Sequence, residues 1–386
     1  MDRSKWEYKK LGEVCLDFVV PQRDKPTAFD GDIPWCRIED IEGRYLNGSK
    51  SGQNVTKELA DRMNMHICPK GTVISACSAS IGNQAITTVD CYTNQTFIGL
   101  VVNPELLYNE YLYYFLESKS NDLQKMGQGA TIKYISKDKY KKMLIPLPSV
   151  YDQQRIVAEL DCLNEMIAVK QEQLKEFDKL AQSIFYDMFG DPSHNEKQWE
   201  LKSLKDISNE KLSYGSGASA ISYDGQTRYI RITDINDKGE LNDDIVSPSV
   251  YDEKYLLNDG DILFARSGAT VGKTYCHNSK NGQCIYAGYL IRLVPNKELV
   301  LPSYVFSYTK TLYYRSFVEA AQRAVAQPNI NAKQYGDLLI CIPPLSLQQQ
   351  FAEKISAIEA QKELVKQSIA ETQQLFNSRM DYYFSE

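Results

Sequence analysis

Two segments of the chain place apolar residues at alternating intervals of four and three, which is the spacing of a coiled-coil seam. The first seam begins near Ile156; its positions are Leu160, Leu163, Ile167, Lys170, Leu174, Phe177, Ala181, Ile184 and Met188. The second is weaker and has the same phase; its positions are Phe351, Ile355, Ile358, Lys362, Val365, Ile369, Thr372, Phe376, Arg379 and Tyr383. Each pattern predicts a helix of about 36 residues, hence about 54 Å long. Because a lone helix would expose its apolar stripe, we expect the two helices to pack on each other; the periodicity leaves their relative direction open.

Outside these helices the hydrophobic runs are short and β-branched. Residues 1–150 contain GTVIS, AITTV and FIGLVV, and residues 191–345 contain DILFA and YLIRLVP. Such runs between Gly, Pro, Asn and Asp are typical of strands. A short helix is predicted in each region, around YNEYLYYFLESK and PSYVFSYTKTLYYRSF. The pattern predicts an α+β protein with four segments: a strand-rich mixed domain over 1–150, a long helix over 151–190, a second mixed domain over 191–345 and a second helix over 346–386.

The chain also repeats itself. WEYKKLGEV at Trp6 returns as WELKSLKDI at Trp199, and RIEDI at Arg37 returns as RITDI at Arg231. Two further pairs follow in the same order, KGTVISACSASIG with DGDILFARSGATVG and IPLPSVYDQQRIVAEL with ICIPPLSLQQQFAEKI. A nearly constant displacement of about 194 residues indicates a tandem duplication.

A lysine interrupts each seam. Lys170 and Lys362 can fix the register of the helix pair by bonding across it, at some cost in stability. Alternatively, each lysine can extend along the helix surface and hold its ammonium group in water. The second interpretation is the prediction here.

Composition restricts the class of protein. A chain of 386 residues and 44.0 kDa favours more than one core, and 43% hydrophobic with 24% charged residues is typical of a folded protein. No apolar run approaches the roughly 18 residues that span a bilayer, and MDRSKWEYKKL does not resemble a secretory signal, so we expect the cytoplasm as its location. Nine cysteines without any CxxC argue against a disulfide framework and a zinc ribbon.

Patterns for catalysis are scarce. The three histidines, His66, His194 and His277, lie in no HExxH spacing, so the sequence predicts no catalytic residue and no metal site. SGATVGKT, from Ser267, looks like a phosphate-binding loop. Only three residues separate Gly268 from Gly272 where the pattern needs four, and no helix is predicted after it, so nucleotide binding is not favoured.

Charge is distributed unevenly although the net charge is -6. Between residues 125 and 142 six lysines accompany only one acidic residue, Asp138; they are Lys125, Lys133, Lys137, Lys139, Lys141 and Lys142. The matching part of the second copy has Lys310, Arg315, Arg323 and Lys333 with Glu319. Basic strips at matching places, interleaved with Gln, Thr, Tyr and Asn, suit contacts to nucleic acid. A solvated surface face is the alternative for either strip alone.

The motifs GDIL..R.SGATVGK, the RI.DI box and IPLPSVYDQQRIVAEL make the chain resemble the specificity subunit of type I DNA restriction-modification systems, over essentially its whole length. The resemblance implies two target recognition domains separated by two long antiparallel coiled-coil helices with pseudo-twofold symmetry. Each domain would read one half of a split DNA target, and the helices would act as a ruler. The first copy departs from the pattern, because SASIGNQ stands where the family commonly has GK.

In that interpretation the chain is not an enzyme. Its partners would be double-stranded DNA, two methyltransferase (modification) subunits and motor-nuclease (restriction) subunits. S-adenosylmethionine, ATP and Mg²⁺ would be bound by those partners and not by this chain. The predicted DNA contacts are polar or basic and lie in loops beside the strips: Ser78, Ser80, Asn83, Gln128, Thr131 and Lys133 in the first domain, and Arg266, Ser267, Thr270, Lys273, Arg323, Gln327 and Asn329 in the second.

Two other functions compete. An intracellular coiled-coil scaffold with two protein- or glycan-binding domains predicts no salt-dependent binding to duplex DNA. A stand-alone nuclease or methyltransferase predicts turnover by the purified chain, which we do not expect.

Overall fold

The structure is a computed structural model that describes residues 3–78, 80–127, 134–323 and 329–385. The chain divides into two compact units. The first unit comprises residues 1–171 and 367–386, and the second comprises residues 172–366. Each of the two long helices contributes one part to each unit, so each unit is described by itself.

The first unit is a mixed α/β domain. Its strands are β1 (Glu7–Lys10), β2 (Cys15–Val19), β3 (Ile33–Cys36), β4 (Ile41–Glu42), β5 (Tyr45–Leu46), β6 (Asn54–Val55), β7 (Val73–Ala76), β8 (Gln84–Thr87), β9 (Tyr92–Thr93), β10 (Phe97–Val102) and β11 (Leu144–Leu147). Its helices are α1 (Leu11–Val14), α2 (Lys57–Arg62), α3 (Asn109–Ser118), α4 (Ser120–Met126), α5 (Lys137–Lys142), the first part of α6 (Val150–Phe189) and the last part of the second long helix. The strands form a six-stranded sheet in the order β2-β10-β7-β8-β5-β4, a three-stranded sheet β6-β3-β9 and the pair β1-β11.

The second unit repeats much of this plan. Its strands are β12 (Glu200–Ser203), β13 (Ser213–Tyr214), β14 (Ala220–Ser222), β15 (Thr227–Ile230), β16 (Val246–Pro248), β17 (Ile262–Ala265), β18 (Thr274–Cys276), β19 (Gln283–Tyr286), β20 (Leu290–Leu293) and β21 (Leu339–Ile342). Its helices are the last part of α6, α7 (Pro302–Tyr308), α8 (Leu312–Arg323), α9 (Ala332–Gly336) and the first part of α10 (Leu345–Phe384). The sheet β13-β20-β17-β18 corresponds to β2-β10-β7-β8, the parallel pair β15-β19 to β3-β9, and β12-β21 to β1-β11.

The seams predicted from the sequence lie on the packed faces of α6 and α10. Every predicted seam position in both helices is buried or half-buried. Both helices are 40 residues long, four more than predicted, because each starts directly after a proline-containing segment and its first turn precedes the seam.

In the first unit, α6 and α10 run antiparallel. The Tyr383 hydroxyl donates to Glu159 at 2.5 Å. Further along α6, Lys170 Nζ donates to Thr372 Oγ1 at 2.9 Å. Residue numbers therefore rise along α6 where they fall along α10, which is the antiparallel arrangement. Lys170 bonds across the helix pair, so the prediction that it reaches into water is wrong. The bond favours the alternative, in which the lysine fixes the register of the two helices.

The second unit shows the same direction. Lys362 Nζ lies 2.9 Å from Asp178, and the rings of Phe185 and Phe351 are 5.8 Å apart. The Lys362 side chain is only 10% exposed, so here too the lysine is held inside the seam by a partner on the facing helix. The predicted antiparallel coiled coil between two mixed α/β regions is confirmed.

The carboxyl end of each long helix packs into an aromatic core. In the first unit, the Phe384 ring at the end of α10 lies 5.1 Å from Tyr111 and 6.2 Å from Phe115. In the second unit, Phe189 at the end of α6 lies 4.8 Å from Tyr304. Buried aromatic pairs of this kind contribute both apolar area and ring geometry, so each helix end is part of a domain core.

A buried glutamine joins α6 to the first unit. Gln153, in the first turn of α6, is fully buried. Its Oε1 accepts from the Tyr108 backbone N–H at 2.8 Å, just before α3. Its Nε2 donates to the carbonyls of Leu106 at 2.8 Å and Pro148 at 2.9 Å.

Gln348 repeats this joint in the second unit. It is also fully buried, and its Oε1 accepts from the Leu301 N–H at 2.8 Å. Its Nε2 donates to the carbonyls of Leu299 at 3.0 Å and Pro343 at 2.8 Å. The glutamine of the repeated IP.P....QQ motif is therefore a structural connector, since it satisfies three backbone groups at the point where helix and domain meet.

Candidate nucleic-acid interface

Most of the described residues predicted to contact DNA lie on one loop in each unit. The first loop, residues 77–83, follows β7, and the second loop, residues 266–273, follows β17. Each loop is closed at its base by the same hydrogen bond: Ala76 N–H donates to Asn83 O, and Ala265 N–H donates to Lys273 O, both at 2.8 Å. A glycine with positive φ precedes the closing residue in each, Gly82 at +99° and Gly272 at +87°. The two loops share the closing hydrogen bond and the glycine before it, as the sequence repeat indicates.

A second chain segment crosses each loop. In the first unit the Ile135 N–H donates to Cys77 O at 2.8 Å, and Ser78 forms an isolated bridge with Tyr134. These contacts bring the segment after residue 133 onto the first loop. Gln128, Thr131 and Lys133 lie outside the described residues.

The crossing segment of the second unit follows the same rule. Ile330 N–H donates to Arg266 O at 2.8 Å, and Ser267 forms a bridge with Asn329. Arg266, Ser267, Thr270, Lys273 and Asn329 therefore meet at one place. Gln327 lies outside the described residues.

The serine and asparagine side chains of the first loop are small and polar, while Ile81 is buried in the core. Ser80 and Asn83 are exposed and Ser78 is half-buried. Cys77 occupies the position that corresponds to Arg266, and it is fully buried. Burial raises the pKa of the Cys77 thiol to about 11, so this residue is an apolar filler at neutral pH.

The second loop is basic. The Arg266 guanidinium lies over the Tyr214 ring at 4.6 Å, and its Nε donates to Asn329 Oδ1 at 3.3 Å. Tyr214 is itself fixed, because its hydroxyl accepts from the Ala332 N–H at 3.0 Å. Lys273 lies 3.1 Å from Asp237, whose side chain is 90% exposed. Because Asp237 is so exposed, water screens its charge strongly. Asp237 therefore cancels little of the positive potential around Lys273.

Tyr214 was not predicted from the sequence. It lies in the polar stretch SYGSG, 52 residues before Arg266. An aromatic residue in such a stretch was the one available signal, and the contact depends on the pairing of β13 with β20, which no local pattern specifies.

Arg323 stands apart from this group. It ends α8, is exposed, and pairs with Glu319 on the same helix at 3.2 Å. The helix does reach the second loop, because the Tyr314 hydroxyl donates to Gly272 O at 3.0 Å. The Tyr314 side chain of α8 thus contacts the loop, whereas the Arg323 guanidinium pairs within its own helix.

The basic strip of the first unit includes α5. Tyr140 anchors this helix, since its hydroxyl is 2.8 Å from Ser75 Oγ in the core. Lys141 and Lys142 are exposed, and Lys139 Nζ donates to Met126 O at 2.6 Å. The lysine side chains therefore lie at the surface next to the segment that leads onto the first loop.

The pKa of Tyr134, at this surface, is raised above its usual value. Burial is the main cause and the Cys77 thiol acts in the same direction, while the charge of Arg23 acts in the opposite direction. Arg23 is exposed and precedes β3. It was not among the predicted contacts.

The described residues contain no group of three or more His, Cys, Asp or Glu side chains able to hold a metal ion. His277 is buried beside Tyr275, whose hydroxyl lies 3.1 Å from Nδ1, and burial lowers the pKa of His277. The second loop runs into strand β18, not into a helix, which agrees with the argument against nucleotide binding. Within the described ranges no helix is long and apolar enough to cross a membrane.

Comparison with known proteins identifies the family. The model of the type I restriction modification DNA specificity domain matches residues 3–177 and again residues 196–374. Among curated relatives, the MjaIX specificity subunit of Methanocaldococcus jannaschii is 28% identical over 292 residues, which is 69% of this chain and 67% of the relative. The EcoR124I/EcoR124II specificity subunit of Escherichia coli is 26% identical over 203 residues, which is 50% of this chain and 46% of the relative.

Solved structures agree on the fold. A chain from a study of complex assembly and conformational transition of the type I R-M system has a TM-score of 0.64 and 20% identity, with 98% of this chain and 97% of that chain covered. The type I restriction-modification S subunit from M. genitalium has a TM-score of 0.56 and 14% identity, with 99% and 96% covered. Two successive matches to one family model explain the internal repeat, and together they span most of the sequence. The chain belongs to the family of type I restriction-modification DNA specificity proteins and contains the family's domain twice.

Proposed function

We propose that this chain recognises a two-part DNA sequence and directs methylation and restriction by partner subunits. The observation that carries the proposal is the pair of equivalent loops, one in each copy of the specificity domain. Proteins of this family are DNA-recognition subunits and not catalysts, so the prediction of a non-enzymatic recognition function is confirmed by family membership.

The two loops favour two unlike half-sites. At equivalent backbone positions the first unit has the buried Cys77 and the second has the half-buried Arg266, and the crossing segments present Tyr134 and Asn329. Sequence is read by side chains at base edges, while the scaffold only positions them. Two domains with one scaffold and different surface chemistry are suited to reading different sequences. The thirteen predicted contact residues remain part of this proposal.

Type I specificity subunits assemble with other subunits of the restriction-modification system and with DNA. The finer proposal is that two methyltransferase subunits and motor-nuclease subunits bind this chain in the cytoplasm. S-adenosylmethionine, ATP and Mg²⁺ would then be bound by those partners. The methylated base would be an adenine flipped out of each half-site.

Mapping methylated adenines across the host genome tests the proposal. In a strain with the gene we expect one bipartite methylated motif, and in a deletion strain we expect that motif to disappear. Removing the same number of helical turns from α6 and α10 should change the number of bases between the half-sites and leave both half-sites unaltered. A methylation pattern that is identical with and without the gene would contradict the proposal.

The scaffold alternative is separated by binding. Titrating the full chain with a fluorescent random-sequence duplex at increasing KCl should show affinity that falls linearly on a log–log plot, because phosphate contacts release counterions. A protein- or glycan-binding scaffold would show no such dependence. Since isolated subunits of this type can bind weakly, the titration is repeated with the assembled complex.

A further inference from the structure

An exposed tyrosine lies beside the second loop. Tyr289 belongs to the tight turn between β19 and β20, and its carbonyl accepts from the Arg266 N–H at 3.1 Å. Its side chain is 62% exposed. Among the described residues, none forms a hydrogen bond with the Tyr289 hydroxyl. The ring therefore faces solvent at the candidate nucleic-acid interface, with no partner inside the described part of the second unit that would explain it.

The turn that carries this tyrosine is fixed before any ligand binds. Each of its four residues takes part in a backbone hydrogen bond of 2.7 to 3.1 Å. The bonds are Ala287 N–H to Ile230 O, Gly288 N–H to Ser216 O, Leu290 N–H to Ala287 O and Arg266 N–H to Tyr289 O. A side chain on a preorganised backbone loses less conformational entropy when it binds a partner. The turn thus presents the ring as a rigid contact point.

The first unit has the same backbone contact with a different side chain. The Cys77 N–H donates to Thr96 O at 2.8 Å. This is the bond that Arg266 makes to Tyr289, so Thr96 occupies the equivalent position. Thr96 is half-buried, and its hydroxyl donates to Asn94 Oδ1 at 2.6 Å, within its own turn. One unit therefore presents a large exposed ring at a place where the other has a short side chain that bonds internally.

The chemistry of the ring selects among the groups that DNA offers. Phosphates are charged and hydrated, and the cations of the neighbouring loop, Arg266 and Lys273, are suited to them. A phenol ring gains most from contact with an apolar group, because that contact removes apolar surface from water. At the base edges of the major groove, the apolar group is the C5-methyl of thymine. Contact with this methyl group depends on the DNA sequence, which agrees with the different residue in the first unit.

We propose that Tyr289 packs its ring against a thymine methyl group in the half-site read by the second unit, and so contributes to the sequence preference of that unit. Thr96 makes no such contact in the first unit. This inference rests on the proposed DNA-binding function. It adds a specificity-determining residue that was not among the thirteen predicted contacts.

Deoxyuridine supplies the test, because it is deoxythymidine without the methyl group. Once the bipartite motif is mapped, each thymine of the second half-site is replaced in turn in a fluorescent duplex, and binding by the chain in its assembled complex is measured. In the wild type, one replacement should lower the affinity about fourfold, the factor for one buried methyl group. Tyr289→Ala should bind the unmodified duplex about tenfold more weakly. In that variant the same replacement should have no further effect, because the two changes remove one contact.

The conservative variant separates the ring from the hydroxyl. Tyr289→Phe should bind like the wild type and retain the fourfold effect of deoxyuridine. If Tyr289→Phe lost as much affinity as Tyr289→Ala, the hydroxyl would be the contacting group and the proposal would be overturned. It would also be overturned if deoxyuridine had no effect at any thymine in the wild type, or the same effect in Tyr289→Ala.

The matched control is Tyr251→Ala. Tyr251 is a tyrosine of the same unit that follows β16 and is 48% exposed. This variant should bind both duplexes like the wild type, and a loss as large as that of Tyr289→Ala would refute a defined contact.

A random-sequence duplex provides the second control. It is bound mainly through its phosphates, so the wild type and Tyr289→Ala should bind it equally, and an equal loss on target and random duplexes would refute a role in specificity. If the wild-type complex enriches no sequence from a randomised duplex library, the proposed function itself fails. A wild type that enriches a motif but shows no deoxyuridine effect refutes only the contact assigned to Tyr289.

Discussion

The buried glutamines at the start of the long helices offer a quantitative test of how the domains are joined to them. Replacing Gln153 by Met keeps a side chain of similar length but removes one acceptor and two donors. The Tyr108 N–H and the carbonyls of Leu106 and Pro148 would then lose their partners. A buried backbone group left without a partner costs about 1–3 kcal/mol, and the gain from added apolar surface is smaller.

The summed cost of three such groups is an upper limit for the loss of stability, because the surrounding backbone relaxes and water reaches part of the site. We therefore expect a loss of about 3 kcal/mol from the first unit. For a unit of this size that corresponds to a shift of about 6–12 °C in its unfolding temperature. Gln348→Met should have the same effect on the second unit, since its three hydrogen bonds have the same pattern.

Hydrogen exchange measured by mass spectrometry is the assay, because the chain has two units and global unfolding need not be two-state. Gln153→Met should accelerate exchange around Tyr108 and the start of α3, and leave the second unit as in the wild type. The adjacent glutamines Gln154 and Gln349 are exposed, and their replacement by Met is the matched control, expected within about 0.5 kcal/mol of the wild type. Equal exchange in Gln153→Met and Gln154→Met would refute the assignment of these glutamines as joints.

Further predictions concern the helix pair and the second loop. Burial would raise the pKa of Asp178, but hydrogen bonds from Lys238 and Lys362 outweigh it and lower that pKa. The ionised carboxylate therefore stabilises the second unit above about pH 4, and this contribution to stability is lost as the pH falls further. Urea denaturation of Asp178→Asn between pH 7 and pH 3 should show a weaker fall in stability than the wild type, and parallel curves would contradict the ion-pair account. Phe384→Ala removes a ring that is 1% exposed and should cost the first unit about 3 kcal/mol, seen as faster exchange in α3 with no change in α7. Gly272→Ala places a Cβ at a φ of +87° and 2.5 Å from Val318 Cγ1, so backbone strain and a steric clash should together destabilise the second loop by about 2 kcal/mol and raise exchange in β18. Gly225→Ala, with a φ of +82° and nothing within 4 Å of the new Cβ, measures the part of this cost that is backbone strain alone.

The long helices and their packing could be predicted from the sequence because the apolar residues of their seams are periodic. A seam of apolar residues at intervals of four and three specifies which face is buried, and every predicted position lies on that face. The error concerned Lys170 and Lys362. Periodicity identifies a polar residue in a seam, but its partner lies on the facing helix, about 200 residues away in the chain, and local pattern does not reach that far.

The candidate interface could be predicted only in part from the sequence, for a related reason. The loops themselves follow from a strand, a glycine and a polar run, and the repeat showed that both units have one. What brings Tyr214 to Arg266 is the antiparallel pairing of β13 with β20. Such contacts depend on tertiary pairing, which hydrophobic pattern constrains weakly.

The duplication itself distinguishes framework from reading surface. Buried positions with the same hydrogen bond in both units belong to the framework: the Tyr111 hydroxyl donates to Pro146 O at 2.8 Å, and the Tyr304 hydroxyl donates to Cys341 O at 2.7 Å. Loop positions whose side chains are exposed or half-buried, such as Ser80 and Arg266, are free to differ, because changing them leaves no buried group unpaired. Stability and recognition thus reside in different residues of one scaffold, and a unit can acquire a new sequence preference through its loop and crossing segment while the joints to the helices remain unchanged.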